Sequence, residues 1–257
     1  MYIVSKVLKN PIITIAEIIH ILNGDALAEQ FPKELTGHTV ICREVLMDGP
    51  LSETLDEQFY NDRADYLIKY SGGREKYNEL VVPELEQLKQ LEEGTVVYLW
   101  FEYDLFCQVN YWQCLQWLIK YNEDLVLYWV RPPDMDWRGF GNWKPSQLSE
   151  MVADAVRLDP KAIDAAISHL ECYKSNDFKT ISAYLQETQL ETHARLVLAA
   201  QLLRLPDGRG QVGIKAVVAE LKKASEGDFG GAFRSFCKSY GHYGLGDLQF
   251  RELWDVV

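Results

Sequence analysis

The chain has 257 residues and a net charge of −12, and 47% of its residues are hydrophobic while 25% are charged. This composition is ordinary for a globular protein, and the length suffices for one large domain or two smaller ones. The longest apolar runs fall short of the roughly 18 residues that cross a bilayer, and the acidic excess disfavours nucleic-acid binding because it repels phosphate.

The first predicted element is a buried parallel strand over residues 17–23, which carries branched apolar side chains on both faces. A turn of Asn23, Gly24 and Asp25 follows it. Gly24 would let backbone approach a ligand, and Asp25 would either bind a hydroxyl or a metal, or only cap the next helix. His20 interrupts the apolar run. It is either a neutral buried histidine bonded to a carbonyl or carboxylate, or a ligand-binding group, since histidine titrates near neutrality.

A second short strand is predicted over residues 39–43, and charged side chains follow it. Arg43 would clamp a carboxylate or phosphate, while Glu44 would simply pair with Arg43. Asp48 begins an Asp-Gly-Pro sequence that has the composition of a turn. Its place after a strand nevertheless makes Asp48 a candidate site residue.

Helical spacing then predicts an insertion of helices over about residues 53–93, in which Pro83 should kink or restart the second helix. Strands are predicted at 95–101 and 125–130, with one helix between them. Strand, helix and strand at this spacing are typical of a βαβ unit. Residues 131–144, rich in proline, glycine and aromatics, indicate a loop.

The third cluster of polar residues follows the third predicted strand. Glu102 and Asp104 would share a proton or hold Mg²⁺; alternatively, Asp104 caps the next helix while Glu102 faces solvent. Gln108 lies in the first turn of that helix, where its amide needs a partner. Trp100 would stack on a base or sugar, although most of the tryptophans between 100 and 143 are expected in the core.

After residue 145 the patterns are helical throughout, which predicts an α/β domain over 1–144 and a helical region over 145–257. Three short segments over 205–257 have the outline of a helix-turn-helix module. The charge differs between the two parts: residues 1–144 hold 13 Lys and Arg against 23 Asp and Glu, and residues 145–257 hold 13 against 15. The near-neutral second part favours packing or protein contact over DNA recognition.

Five cysteines form an odd set without a C-x-x-C pair, which indicates free thiols, a cytoplasmic location and no structural zinc.

The chain resembles, over nearly its full length, a bacterial family known as domain of unknown function 1835, and its Bacteroidetes-type members in particular. The resemblance rests on these phrases: HILNGDALAEQF, VICREVLMDGPL, DRADYL, LWFEYDLFCQVN, VRPP, GFG and YGLGDLQF. About eleven residues before the first strand are a departure from relatives that start directly at it. The resemblance implies no reaction.

Together these patterns predict an α/β, Rossmann-like fold, in which a small, mostly parallel sheet of about four strands with flanking helices precedes a helical C-terminal region. The carboxyl ends of the strands should form one crevice. We expect it to bind a small phosphorylated or nucleotide-like ligand, with Mg²⁺ as a possible cofactor, and the three aspartates Asp25, Asp48 and Asp104 as the chemical groups. The alternative is a regulatory or adaptor protein that acts through its helical region.

Overall fold

The computed structural model describes residues 16–71, 73–136, 138–187, 190–205 and 213–257. The additional residues that precede the first strand therefore lie outside the described part.

One five-stranded sheet lies at the centre of the fold, with the strand order β2-β1-β3-β4-β5. Neighbours among the first four strands are parallel, and β5 is antiparallel to β4. The strands are β1 (Ile18–Asn23), β2 (His38–Cys42), β3 (Val96–Trp100), β4 (Val126–Val130) and β5 (Val156–Arg157).

The described residues form twelve α-helices and three short 3₁₀ helices. The α-helices are α1 (Asp25–Glu29), α2 (Glu57–Ser71), α3 (Arg74–Leu80), α4 (Val82–Glu86), α5 (Leu105–Tyr121), α6 (Pro145–Met151), α7 (Pro160–Lys174), α8 (Phe178–Tyr184), α9 (Thr192–Arg204), α10 (Ile214–Ala224), α11 (Phe229–Tyr240) and α12 (Asp247–Val256). The 3₁₀ helices are Gln87–Lys89, Gly139–Asn142 and Gly241–Tyr243. No helix in these ranges is long and apolar enough to cross a membrane.

Alternate residues along each strand enter two separate cores, because side chains in a strand point to opposite faces in turn. In β1, Ile19 and Ile21 pack into the larger core, whereas Leu22 joins a smaller one with Trp100 and Phe140. The smaller core also contains side chains from α1 and α6.

Helix α5 is the centre of the larger core. Most of its side chains are buried, and it packs against α7 and α9 of the C-terminal half. The same core includes Val218, Phe236 and Phe250 from the last three helices. The helical C-terminal region and the sheet are therefore joined by one continuous apolar core.

The predicted fold class is confirmed: the structure has a mostly parallel sheet with flanking helices and a helical C-terminal region. Each of the four predicted strands agrees with a parallel strand to within about one residue at either end. The helix restart at Pro83 is also confirmed, since Pro83 lies in the first turn of α4. The fifth strand was not predicted, because two residues cannot show an alternating pattern.

Candidate ligand site at the carboxyl edge of the sheet

The strand order reverses between β1 and β3. The chain moves from β1 to β2 on one side and then returns to β3 on the other. In open α/β sheets such a reversal leaves a gap beyond the carboxyl ends of the strands, where ligands commonly bind. Asn23 ends β1 at this gap, and α5 begins there shortly after β3.

Three ionisable side chains meet at the start of α5, and we call Glu102, Asp104 and Cys107 the Glu102 cluster. The thiol of Cys107 donates to Oε2 of Glu102 at 3.1 Å, and its backbone N–H donates to Oδ1 of Asp104 at 3.0 Å. A second backbone N–H, that of Phe140, donates to Oε1 of Glu102 at 3.2 Å. Asp104 thus caps α5, as one of the two interpretations predicted, whereas the expectation of a solvent-facing Glu102 is wrong.

Burial and mutual repulsion make these groups resist ionisation. Burial, reinforced by the nearby Asp104, raises the pKa of Glu102 to about 7. Burial also raises the pKa of the Asp104 carboxyl and that of the Cys107 thiol, the latter well above its usual value. At neutral pH the cluster therefore carries less negative charge than its residue types suggest.

Two amides connect the Glu102 cluster to the segment after β2. Asn23 donates from Nδ2 to Sγ of Cys107 at 2.9 Å and accepts at Oδ1 from Asn110, also at 2.9 Å. Asn110 is fully buried; it donates to the carbonyl of Glu44 at 2.8 Å and accepts from the N–H of Leu46 at 3.0 Å. This network joins the end of β1, the start of α5 and the segment after β2. Asn23 therefore has a structural role, which uses the same amide that was predicted to hold a ligand.

Glu44 and Arg63 form a fully buried ion pair. Both side chains are 0% exposed, and Nε and Nη2 of Arg63 donate to Oε2 of Glu44 at 3.0 and 2.6 Å. Tyr77 donates its hydroxyl to Oε1. The expectation that Glu44 pairs with Arg43 is therefore wrong, because consecutive side chains at the end of a strand point in opposite directions.

Asp25 and Arg43 form an ion pair with each other. Nε of Arg43 donates to Oδ1 of Asp25 at 2.8 Å, and Nη1 donates to Glu84 at 3.1 Å. Gly24, not Asp25, is the cap residue of α1, and Gly24 has a φ of +89°. The expected Asp25 cap is therefore wrong, although an exposed carboxylate remains at this corner.

Asp48 is directed toward the C-terminal half. Its carboxylate forms an ion pair with Arg204 of α9, and its carbonyl accepts from Arg63 at 2.6 Å. The three aspartates are therefore held by three different sets of partners: Arg43, Arg204 and the start of α5.

His20, Trp100 and Gln108 are all buried. Nδ1 of His20 accepts from the Trp100 indole at 3.1 Å, and its Nε2 contacts the carbonyl of Thr36 at 3.1 Å. The interpretation as a buried histidine bonded to a backbone carbonyl therefore agrees with the structure, and burial lowers the pKa of His20. Gln108 donates from Nε2 to the carbonyl of Glu102 at 2.6 Å, while its Oε1 has no partner among the described residues.

A cavity of 430 Å³ opens beside the Glu102 cluster, at the carboxyl ends of β3 and β4, and we call it the Arg131 cavity. Its size lies in the range of small-molecule pockets, about 300–1,000 Å³. The residues lining it are Tyr103, Arg131, Pro132, Pro133, Trp143, Gln147, Glu150, Met151 and Asp154.

Two side chains of the Arg131 cavity carry hydrogen-bond donors. The indole N–H of Trp143 is buried without a partner among the described residues. The guanidinium of Arg131 lies 5.9 Å from the Tyr103 ring centre and 5.1 Å from that of Trp129, and none of the described carboxylates forms an ion pair with it. Arg131 is exposed and bonds to Tyr103, so its remaining donors are open to an acceptor from a ligand, whereas the Trp143 N–H is closed to solvent.

Tyr103 also lines a second cavity, of 360 Å³, on the side of Asp104. The 3₁₀ helix Gly241–Tyr243 contributes His242 to its wall, and α11 contributes Lys238. The start of α5 therefore borders a space that reaches toward the C-terminal helices.

Sequence reasoning missed several residues of this region: Arg63, Cys107, Asn110, Arg131 and Gln147. No local pattern in the sequence marks Cys107, and its acidic neighbours come together only in the fold. For Arg131 one signal existed, its position directly after a predicted strand.

A scan against protein-family models and searches of the curated proteins and of the solved structures gave no match for this chain. The resemblance described above therefore stays a prediction.

Proposed function

We propose that this protein binds a small phosphorylated, nucleotide-like ligand in the Arg131 cavity. The observation that carries the proposal is the exposed guanidinium of Arg131, which forms no ion pair with a described carboxylate, in the wall of a ligand-sized cavity. A charge-assisted bond from an arginine to a phosphate is worth about 1.5–3 kcal/mol. We assign a binding role, and no reaction.

The wall of the cavity offers a partner for each part of a nucleotide. The rings of Tyr103 and Trp143 can pack against a base, and the amide of Gln147 can bond to its edge. Arg131 supplies a planar donor for phosphate. On α6 and just after it, Glu150 and Asp154 add carboxylates, which in dinucleotide-binding folds accept from ribose hydroxyls.

The place of the cavity in the topology supports the same ligand class. It lies where β3 and β4 end, beside the reversal of strand order between β1 and β3. Ligands of open α/β sheets bind at this edge. The Mg²⁺ expected from the sequence at residues such as Glu102 and Asp104 stays a prediction.

Isothermal titration with the four ribonucleoside monophosphates tests the proposal. We expect at least one of them to bind to the wild-type protein. Arg131→Gln should weaken that binding about tenfold to a hundredfold, because it removes a charge-assisted bond worth about 1.5–3 kcal/mol. The matching nucleoside without phosphate should bind equally to wild type and variant.

Arg138→Gln is the matched control, since Arg138 is an exposed arginine of the same loop that pairs with Asp136 instead of lining the cavity. Its affinity for the monophosphates should equal that of the wild type. Absence of binding by the whole panel would refute the proposal and favour the adaptor hypothesis. An equal loss in both variants would show that general charge, not the cavity, is responsible.

A further inference from the structure

We propose that the Glu102 cluster binds one divalent transition-metal ion of the zinc class. This inference concerns a site next to the Arg131 cavity and does not depend on what the cavity binds.

The donor atoms of the cluster suit such an ion. One thiol sulfur and two carboxylate oxygens lie within 4.8 Å of one another, and Sγ of Cys107 is already 3.1 Å from Oε2 of Glu102. In a tetrahedral zinc site neighbouring donors are roughly 3.5 Å apart, so a modest contraction closes the set. A cysteine ligand favours zinc-class ions, whereas Mg²⁺ is bound by oxygen alone.

A further oxygen at the same end of α5 points to a missing ligand. Gln108 is 0% exposed, and its Oε1 has no partner among the described residues. The amide nitrogen of the same side chain is 2.6 Å from the carbonyl of Glu102, which places this amide against the cluster. A buried carbonyl oxygen without a donor is costly, and this one belongs to an amide that contacts the backbone of Glu102, at the edge of the cluster.

Two glycines shape the space around the carboxylates. Gly139 and Gly244 both have positive φ, +49° and +65°. A Cβ on Gly139 would collide with the side chain of Glu102, and one on Gly244 would collide with the carboxylate of Asp104. The backbones of two separate segments thus lie close against the cluster, and its carboxylates are held between them.

The charge balance of the cluster also favours a cation. None of the described lysines or arginines forms an ion pair with Glu102 or Asp104. Asn23 donates to Sγ of Cys107 at 2.9 Å, the type of outer bond that stabilises a metal-bound thiolate. The 360 Å³ cavity reaches Asp104 and offers the ion a route from solvent.

Titration of the chelator-treated full chain with Co²⁺ tests the site. We expect one Co²⁺ per chain, with a thiolate-to-cobalt charge-transfer band that a large excess of Mg²⁺ does not remove. Cys107→Ser should abolish the band and weaken Co²⁺ binding at least tenfold. Cys172→Ser is the matched control: this cysteine is also buried, but it belongs to α7, and its loss should change neither band nor affinity.

X-ray absorption of the zinc-loaded wild-type protein keeps the test decisive if a variant fails to fold. One sulfur at about 2.3 Å and oxygens at about 2.0 Å should surround the zinc. The proposal is overturned if no stoichiometric band appears, if the band survives in Cys107→Ser, or if the zinc spectrum contains no sulfur. Since no nucleotide is present, this result is separate from the outcome for the Arg131 cavity.

Discussion

The side chain of Arg63 is 0% exposed, and acceptors of the protein take the place of water around its guanidinium. Glu44 takes two of its bonds, and the carbonyl of Asp48 takes another at 2.6 Å. A buried pair of this kind adds little net stability, because the desolvation of both charges offsets their attraction. Removing only one partner is different, because it leaves a buried charge without a counter-charge.

Arg63→Met should therefore lower the free energy of unfolding by about 3–5 kcal/mol, because it leaves the Glu44 carboxylate buried and unpaired. Urea denaturation at pH 7 measures this difference. Arg74→Met is the control: its ion pair with Asp65 is exposed, so the loss should stay below about 1 kcal/mol. Equal losses in the two variants would contradict the assigned role of the buried pair.

Residue-scale pairing was the part of the site that the sequence predicted least well. Glu44 was expected to pair with its neighbour, yet its partner is 19 positions away on α2. Nothing local distinguishes Arg63 from an exposed arginine of an amphipathic helix. Of the two candidate caps, Asp104 does cap α5, since a cap depends only on the next three residues, whereas Gly24 and not Asp25 is the cap residue of α1.

At the scale of elements, the contact between α5, α7 and α8 contains a histidine that must stay neutral. His169 of α7 packs against Trp112 of α5, and its Nδ1 contacts the hydroxyl of Tyr184 at 2.9 Å. Burial lowers the pKa of His169 to about 4, from an ordinary value of 6.5. Protonation is thus easier in the unfolded chain, and the fold loses stability as the pH falls from about 6.5 to 4.

His169→Gln should reduce this loss. The difference in unfolding free energy between pH 7 and pH 4 should be smaller in the variant by about 1–3 kcal/mol, since 1.36 kcal/mol corresponds to one pKa unit. Urea denaturation at both pH values measures it. His38→Gln, a change at an exposed histidine of β2, should leave the wild-type difference intact. If His169→Gln did the same, burial of the neutral imidazole would not be the cause.

The strands and most helices could be predicted from the sequence because each depends on a local apolar pattern. The sequences of β3 and β4 are apolar throughout, the apolar run of β1 is interrupted by His20 alone before Asn23, and α5 follows β3 after a capping aspartate. The Arg131 cavity could not be predicted from the sequence. It exists because α6 folds back over the end of β4, and no local pattern specifies that return.

At the scale of the whole molecule, the parallel sheet brings segments that are distant in the sequence to one edge. Residues from the ends of β1, β3 and β4 lie there, together with α6 and the start of α5. The sequence predicted this edge as the site, and it predicted one shared crevice for all three aspartates. The structure instead separates their partners and leaves two features side by side, the Glu102 cluster and the Arg131 cavity.

The most direct test of ligand binding in the Arg131 cavity is the NMR signal of the Trp143 indole N–H, assigned with Trp143→Phe. On titration with the tightest-binding nucleoside monophosphate, this signal should shift more than the indole signals of the core residues Trp112 and Trp117, because the Trp143 ring lines the cavity and the other two rings do not. A ligand that binds while the Trp143 signal stays in place would contradict the proposed site.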